Sequence, residues 1–184
     1  MIPTKYHRTI NVLTQSALCL ALVASPLSIA SAKPKPAEYK TIAKYGRTIK
    51  TLNAGKIDMT KMEGNVTVVV FFASWCAPAR ENVKMLNELF KEKGSSGLKV
   101  MGMHPIDQRS TKEGLSALIK EDGIQFPVSQ VQDSEFMKMA ETKNIDVPQV
   151  LIYSQDGKLV KALSGFNASV AEQINSAVNT LMQK

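Results

Sequence analysis

Apolar positions change their period several times along this chain, and each change marks an element. Residues 47–60 alternate apolar and polar on either side of Asn53-Ala54-Gly55, which predicts a short hairpin. After a Gly64-Asn65 turn, Val66-Thr67-Val68-Val69-Val70-Phe71-Phe72-Ala73 runs almost unbroken in β-branched and aromatic residues, the mark of a central strand buried on both faces. Val83, Leu86, Leu89 and Phe90 then share one face of a helix predicted over 77–93, ended by Gly94-Ser95-Ser96-Gly97. A second strand is expected over Leu98 to Met103, and a second helix over 111–122 with Leu115, Leu118 and Ile119 inward. Residues 127–131 read as a short extended piece, and 134–142 as a short helix with Ser134 as its N-cap. Two strand-like runs, 150–153 and 158–163, flank Ser154-Gln155-Asp156-Gly157, a strong hairpin signal. A last helix over 168–182 presents Val170, Ile174, Ala177, Val178 and Leu181 on one face. The order β-α-β-α-(β)-α-β-β-α predicts an α/β domain closed by an antiparallel hairpin and a covering helix.

The N-terminus departs from this pattern. Residues 1–32 combine a basic start (Lys5, His7, Arg8), the apolar run 17–24, and small residues ending in Ala30-Ser31-Ala32. That is the layout of a cleaved secretory signal. Pro26, Gln15, Ser16 and the shortness of the run argue against a membrane anchor. Residues 33–44 are expected to be a basic leader and linker, and 45–184 the folded domain. Composition supports a single core-forming domain, with 184 residues, 44% of them hydrophobic and 21% charged. The formal charge of +7 becomes +5 without residues 1–32, leaving 21 basic against 16 acidic residues. Membrane contact is expected only through the basic leader. No aromatics interleave with the charges, so nucleic acid is not an expected partner. The chain has no P-loop, no G-x-G-x-x-G, no G-x-S-x-G and no zinc-type cluster.

Cysteine use narrows the chemistry. Cys19 lies in the predicted signal, so the processed chain keeps only Cys76. A lone thiol in an oxidising compartment forms no internal disulfide; it is either buried and inert or reactive toward another molecule. Its context favours reactivity. Ser74-Trp75-Cys76-Ala77-Pro78-Ala79 sits between the buried strand and the first helix. At the first turn of a helix, unpaired N–H groups and the positive end of the dipole stabilise a thiolate, the nucleophilic form. Pro78 presets the helical φ and has no N–H to leave unpaired. Met101, Met103 and His104 make an M-x-M-H pattern suited to copper(I), with Cys76 as an extra ligand. On a strand, however, Met101 and Met103 face the same way, as core residues do, and His104 before Pro105 is expected in a loop. No metal or cofactor is expected.

The W-C-x-P turn together with Val147-Pro148-Gln149, Asp156-Gly157 and Gly165-Phe166 resembles the thioredoxin-like superfamily over residues 45–184. The N-terminal hairpin, the Gly64-Asn65 turn and the insert around 104–126 are similar to its exported, membrane-associated branch, the TlpA and ResA type reductases and the cytochrome c maturation reductases. The resemblance implies a central mixed sheet with helices on both faces and an N-terminal hairpin extension. It implies Cys76 as the attacking thiol, and Trp75, Pro78, Val147 and Pro148 as the substrate-binding set. Val147–Pro148 would be a cis peptide whose backbone receives an extended substrate. The implied partners are client proteins with cysteines or disulfides, or small thiols, with a membrane-bound reductant as a further candidate. The implied location is periplasmic or otherwise extracytoplasmic.

Three positions depart from the family. Ala79 stands where the resolving cysteine belongs, so a mixed disulfide on Cys76 must wait for an outside thiol. Val70 stands where many thioredoxins, though not all exported relatives, carry a buried acid. Gln149 stands where threonine is common. The expected function is thiol–disulfide exchange through one thiol; the alternative is a non-catalytic binding module with a degenerate site. A thiol peroxidase would need a P-x-x-x-T-x-x-C pattern, which is absent.

Overall fold

The structure, a computed structural model, describes residues 42, 48–140 and 146–183. The predicted signal (1–32), most of the leader (33–44) and the domain's first residues lie outside them. The exception in the leader is Ile42, which is buried and donates its N–H to the Gly157 carbonyl at 2.7 Å.

The hairpin forms as strands β1 (Thr48–Lys50) and β2 (Lys56–Asp58), antiparallel with Ile49 opposite Ile57. A 3₁₀ turn, Met59–Met62, follows, capped by the Asp58 carboxylate accepting from Thr60 N–H. The main sheet has five strands in the order β5-β4-β3-β6-β7. These are β3 (Val66–Phe71), β4 (Leu98–Pro105), β5 (Val128–Val131), β6 (Gln149–Tyr153) and β7 (Leu159–Ser164). β3, β4 and β5 run parallel, while β6 is antiparallel to β3 and β7 to β6. β3 is central, and all six of its residues are buried. Its unbroken apolar run follows from that place, since a strand covered on both faces has no polar side.

Alternation along the strands divides the interior into two clusters. Val66, Val68, Val70 and Phe72 pack with Val83 and Leu86 of α1 (Ala77–Lys93), Leu115 of α2 (Lys112–Glu121), and Ile174 and Val178 of α4 (Ala168–Met182). Val69 and Phe71 pack on the other side with Met101, Met103, Tyr153, Met59 and Met62, and with Phe136 of α3 (Asp133–Ala140). The fold is therefore thioredoxin-like α/β, a mixed sheet between helices with a hairpin extension. The Asp156-Gly157 turn works because Gly157 takes φ +72°, and because an added Cβ there would meet Ile42 Cγ2 at 3.1 Å.

Two expectations are corrected. His104 is not a loop residue: β4 runs two residues past Met103, and the ring is completely buried. Pro105 ends the strand without excluding His104 from it, because the restriction a proline puts on the preceding residue favours extended backbone. Ser134 is not an N-cap. The helix begins at Asp133, and the Gln132 carbonyl accepts the first helical bond, from Phe136 N–H at 2.7 Å.

Candidate active site

Strand β3 delivers the chain to the C-terminal edge of the sheet, where Phe72 N–H still bonds the Met103 carbonyl at 3.0 Å. The backbone then turns. Cys76 N–H closes the turn on the Ala73 carbonyl at 3.0 Å, and Arg80 N–H bonds the Cys76 carbonyl at 3.0 Å to start α1. Cys76 is thus the N-cap of α1, half-buried, with Pro78 in the first turn. Its side chain accepts no capping hydrogen bond. That corrects the expectation of N–H groups aimed at the sulfur, and Pro78 supplies part of the reason, having no N–H to offer. Instead the thiol points across the cleft and donates to the Val147 carbonyl, with Sγ 3.6 Å from the oxygen.

Val147 belongs to the loop entering β6. The Val147–Pro148 peptide is cis, Pro148 is buried, and its carbonyl accepts from Gly165 N–H at 2.8 Å. The Gln149 amide donates to the Asp146 carbonyl at 3.0 Å, closing the loop from the other side. The fold therefore brings Cys76, Val147 and Pro148 together across more than seventy residues of sequence, while Pro78 stands exposed beside them.

Trp75 is pinned by residues the sequence did not single out. Its indole N–H donates to Asp107 Oδ2 at 2.6 Å, and the Arg109 guanidinium lies 3.4 Å from the ring centroid. Asp107 Oδ1 accepts from the Arg109 backbone N–H and the Ser110 hydroxyl, both at 2.9 Å. Burial alone would push the Asp107 carboxyl up. The hydrogen bonds from Trp75, Ser110 and Arg109, with the Arg109 charge, outweigh it and hold the group below the usual carboxylate range. The legible trace was an Asx turn: Asp107 bonding the backbone two residues on, just past a strand end.

Below the turn lies His104. Its Nε2 is 2.9 Å from the Ser74 backbone nitrogen and 3.2 Å from the Ser74 hydroxyl, and Nδ1 is 2.6 Å from the Pro105 carbonyl. Burial pushes the imidazole pKa down from 6.5, against the opposing effects of the Pro105 carbonyl and Asp107. His104 does not join Met101 and Met103 in a ligand cluster. Those two pack in the core beside Phe71 and Phe136, while alternation sends the His104 ring to the opposite face, edge-on to Phe72. Among the described residues no three His, Cys, Asp or Glu side chains converge as a metal site.

Ala79 is completely buried in the cluster beneath α1, so the resolving position is filled by a methyl group inside the core. Val70 is buried too, paired with Gly102 and Val150. Farther along α1 sit two buried amides. Asn87 donates to the Gly123 carbonyl at 3.0 Å and accepts from Gln125 N–H at 2.8 Å. Asn82 is equally buried, yet neither of its side-chain polar atoms finds a partner among the described residues.

The profile of the AhpC/TSA family matches residues 45–162. The chain belongs to that family. Among characterised relatives it is 23% identical over 114 residues to the thiol-disulfide oxidoreductase ResA of Bacillus thuringiensis subsp. konkukian, covering 62% of this chain and 63% of that one. The chain thus matches somewhat under two thirds of that relative's length. It is also 23% identical to the sporulation thiol-disulfide oxidoreductase A of Bacillus subtilis, over 68% of this chain and 73% of that one. Among solved structures, a thioredoxin-family thiol:disulfide interchange protein from Chlorobium tepidum superposes with a TM-score of 0.65 at 18% identity, covering 82% of this chain and 99% of the other. This family member therefore stands among thiol–disulfide oxidoreductase-like proteins of the thioredoxin fold, at low identity.

Proposed function

We propose that this AhpC/TSA-family protein carries out thiol–disulfide exchange outside the cytoplasm through the single thiol of Cys76. The carrying observation is the half-buried Cys76 sulfur at the helix N-cap, 3.6 Å from the Val147 carbonyl. A client chain that replaces the thiol as partner of the Val147 backbone would lie along the sulfur as an added strand. The thiolate attacks one sulfur of a client disulfide. A new S–S bond forms to Cys76, the old one breaks, and the departing sulfur leaves as a thiolate that takes up a proton. With Ala79 in place of a second thiol, release requires attack by an external thiol, which regenerates Cys76 and carries off the client as another disulfide. Trp75, Pro78, Val147 and Pro148 line the approach. The export part of this reading rests on residues 1–32 as a signal, 33–44 as a leader and 45–184 as the domain.

Oxidised glutathione tests it. Intact-mass analysis should show one glutathione on the wild-type domain, none on Cys76→Ser, and removal by dithiothreitol. A thiol reacting no faster than that of the denatured chain would overturn the proposal. One observation favours the alternative, a binding module: the resolving position is sealed by core packing. In that case partner capture would survive Cys76→Ser; in the exchange reading it fails.

A further inference from the structure

Ser74 lies two residues ahead of Cys76, at the point where the chain leaves the sheet. Its backbone N–H does not point into a strand ladder or a helix. It points at Nε2 of His104 at 2.9 Å, while Nδ1 of the same ring faces the Pro105 carbonyl at 2.6 Å. A carbonyl only accepts, so Nδ1 carries the proton and Nε2 presents its lone pair to the Ser74 N–H. Geometry thus selects one neutral tautomer. The ring is fully buried and packs edge-on against Phe72, centroids 5.3 Å apart. Few charged groups act on it. β3 and the turn after it contribute Phe72 and Ser74; β5 places Gln130 opposite in register; the following loop contributes Asp107, already committed to Trp75, Ser110 and Arg109.

We propose that neutral His104 is the positioning residue of the Cys76 turn: by accepting from Ser74 N–H it holds the Ser74-Trp75-Cys76 segment with the sulfur facing the Val147 carbonyl, and protonation at Nε2 releases that hold. The proposal deepens the exchange reading of Cys76 and rests on it for its functional meaning. A proton on Nε2 consumes the lone pair that accepts from Ser74 N–H and makes Nε2 a donor, with the Ser74 hydroxyl at 3.2 Å as the acceptor in reach; the Ser74 N–H is then left unpaired, which a buried site tolerates poorly. Since burial keeps the ring neutral, the hold persists at neutral pH and is lost only in acid. His104 does not touch the reacting sulfur; it acts through Ser74.

The test uses the full domain with His104→Gln, whose Oε1 can take the Nε2 position without titrating, and His104→Phe, which keeps a ring but no acceptor. Amide exchange at Ser74, read by NMR as a protection factor, reports the bond directly. Wild type should lose protection as pH falls from 7 toward about 4, while the Gln variant stays flat over that range. The Phe variant should lose about fivefold protection at pH 7, the low end of what an unmade buried hydrogen bond costs. Mixed-disulfide formation with glutathione at pH 7 should slow in the Phe variant and stay near wild type in the Gln variant. Protection at Ser74 that is the same in wild type and the Phe variant, or a wild-type profile as flat as that of Gln, overturns the proposal. Should the Phe variant not fold, the contrast between wild-type and Gln profiles decides alone. Should wild type form no adduct, the exchange reading fails, while Ser74 protection still decides whether His104 holds the turn.

Discussion

Replacing Asp107 with alanine removes the anchor of Trp75. The side chain of Asp107 is only 9% exposed, and its two oxygens accept from the Trp75 indole, the Ser110 hydroxyl and the Arg109 backbone. A hydrogen bond to a charged group contributes about 1.5–3 kcal/mol. The indole end is discounted because Trp75 is 38% exposed and water can compete for its N–H. The Arg109 guanidinium, which reaches both the Trp75 ring and Asp107 Oδ2, loses its seat as well, and an exposed cation–π contact adds about 0.5–1 kcal/mol. The hold on Trp75 is therefore about 2 kcal/mol, enough to shift the anchored population by roughly thirtyfold. Trp75 is the sole tryptophan of the chain, so steady-state fluorescence anisotropy reads it without labelling. Anisotropy should fall in Asp107→Ala and fall less in Asp107→Asn, which still accepts one bond. Acid gives the same result in His104→Gln, where no imidazole titrates beneath the turn. Because the folded pKa of Asp107 is depressed, its contribution is full above the unfolded value of about 3.9 and is lost as pH drops through the folded value. Anisotropy should then stay level from pH 7 to about 4 and decline only below it. Unchanged anisotropy in Asp107→Ala at pH 7 would refute the anchoring argument.

The two buried amides of α1 should respond in opposite directions. Asn87→Ala strands the Gly123 carbonyl and the Gln125 N–H, and urea unfolding should show a loss of about 2–4 kcal/mol; Asn82→Leu removes two unpaired polar atoms and should raise stability by about 1 kcal/mol. His104 has a folded pKa below its unfolded value of 6.5, so the unfolded chain binds the extra proton first, and stability should fall as pH drops below about 6.5, a slope that His104→Gln flattens in the same titration. Ala79→Cys restores a second thiol one turn along α1 from Cys76. The glutathione adduct should then resolve to an internal disulfide without added reductant, and an adduct that persists would show that the buried site keeps the new thiol from attack.

Much of this fold was legible along the chain because its signals are local. The apolar run of β3 needs only its own residues to announce burial on both faces. The 17 residues of α1 are bounded by a turn and a glycine cluster, and Asp156-Gly157 names its hairpin by backbone chemistry alone. Cys76 was found the same way, since W-C-A-P states the turn and the helix start together. The rest depends on which distant segment arrives beside which, and no period encodes that. His104 before Pro105 reads as a loop residue; the fold carries β4 through it and brings Ser74 N–H to its ring. Asp107 and Arg109 were not singled out in the sequence; only the fold sets them against Trp75. Asn82 and Asn87 have the same side chain on the same helix, yet one is paired and the other is not, because only Asn87 faces the backbone between α2 and β5. Residue type and spacing set where the chain turns and which faces are apolar. Hydrogen-bond partners, and with them the protonation state of the buried imidazole, were decided only when the sheet closed.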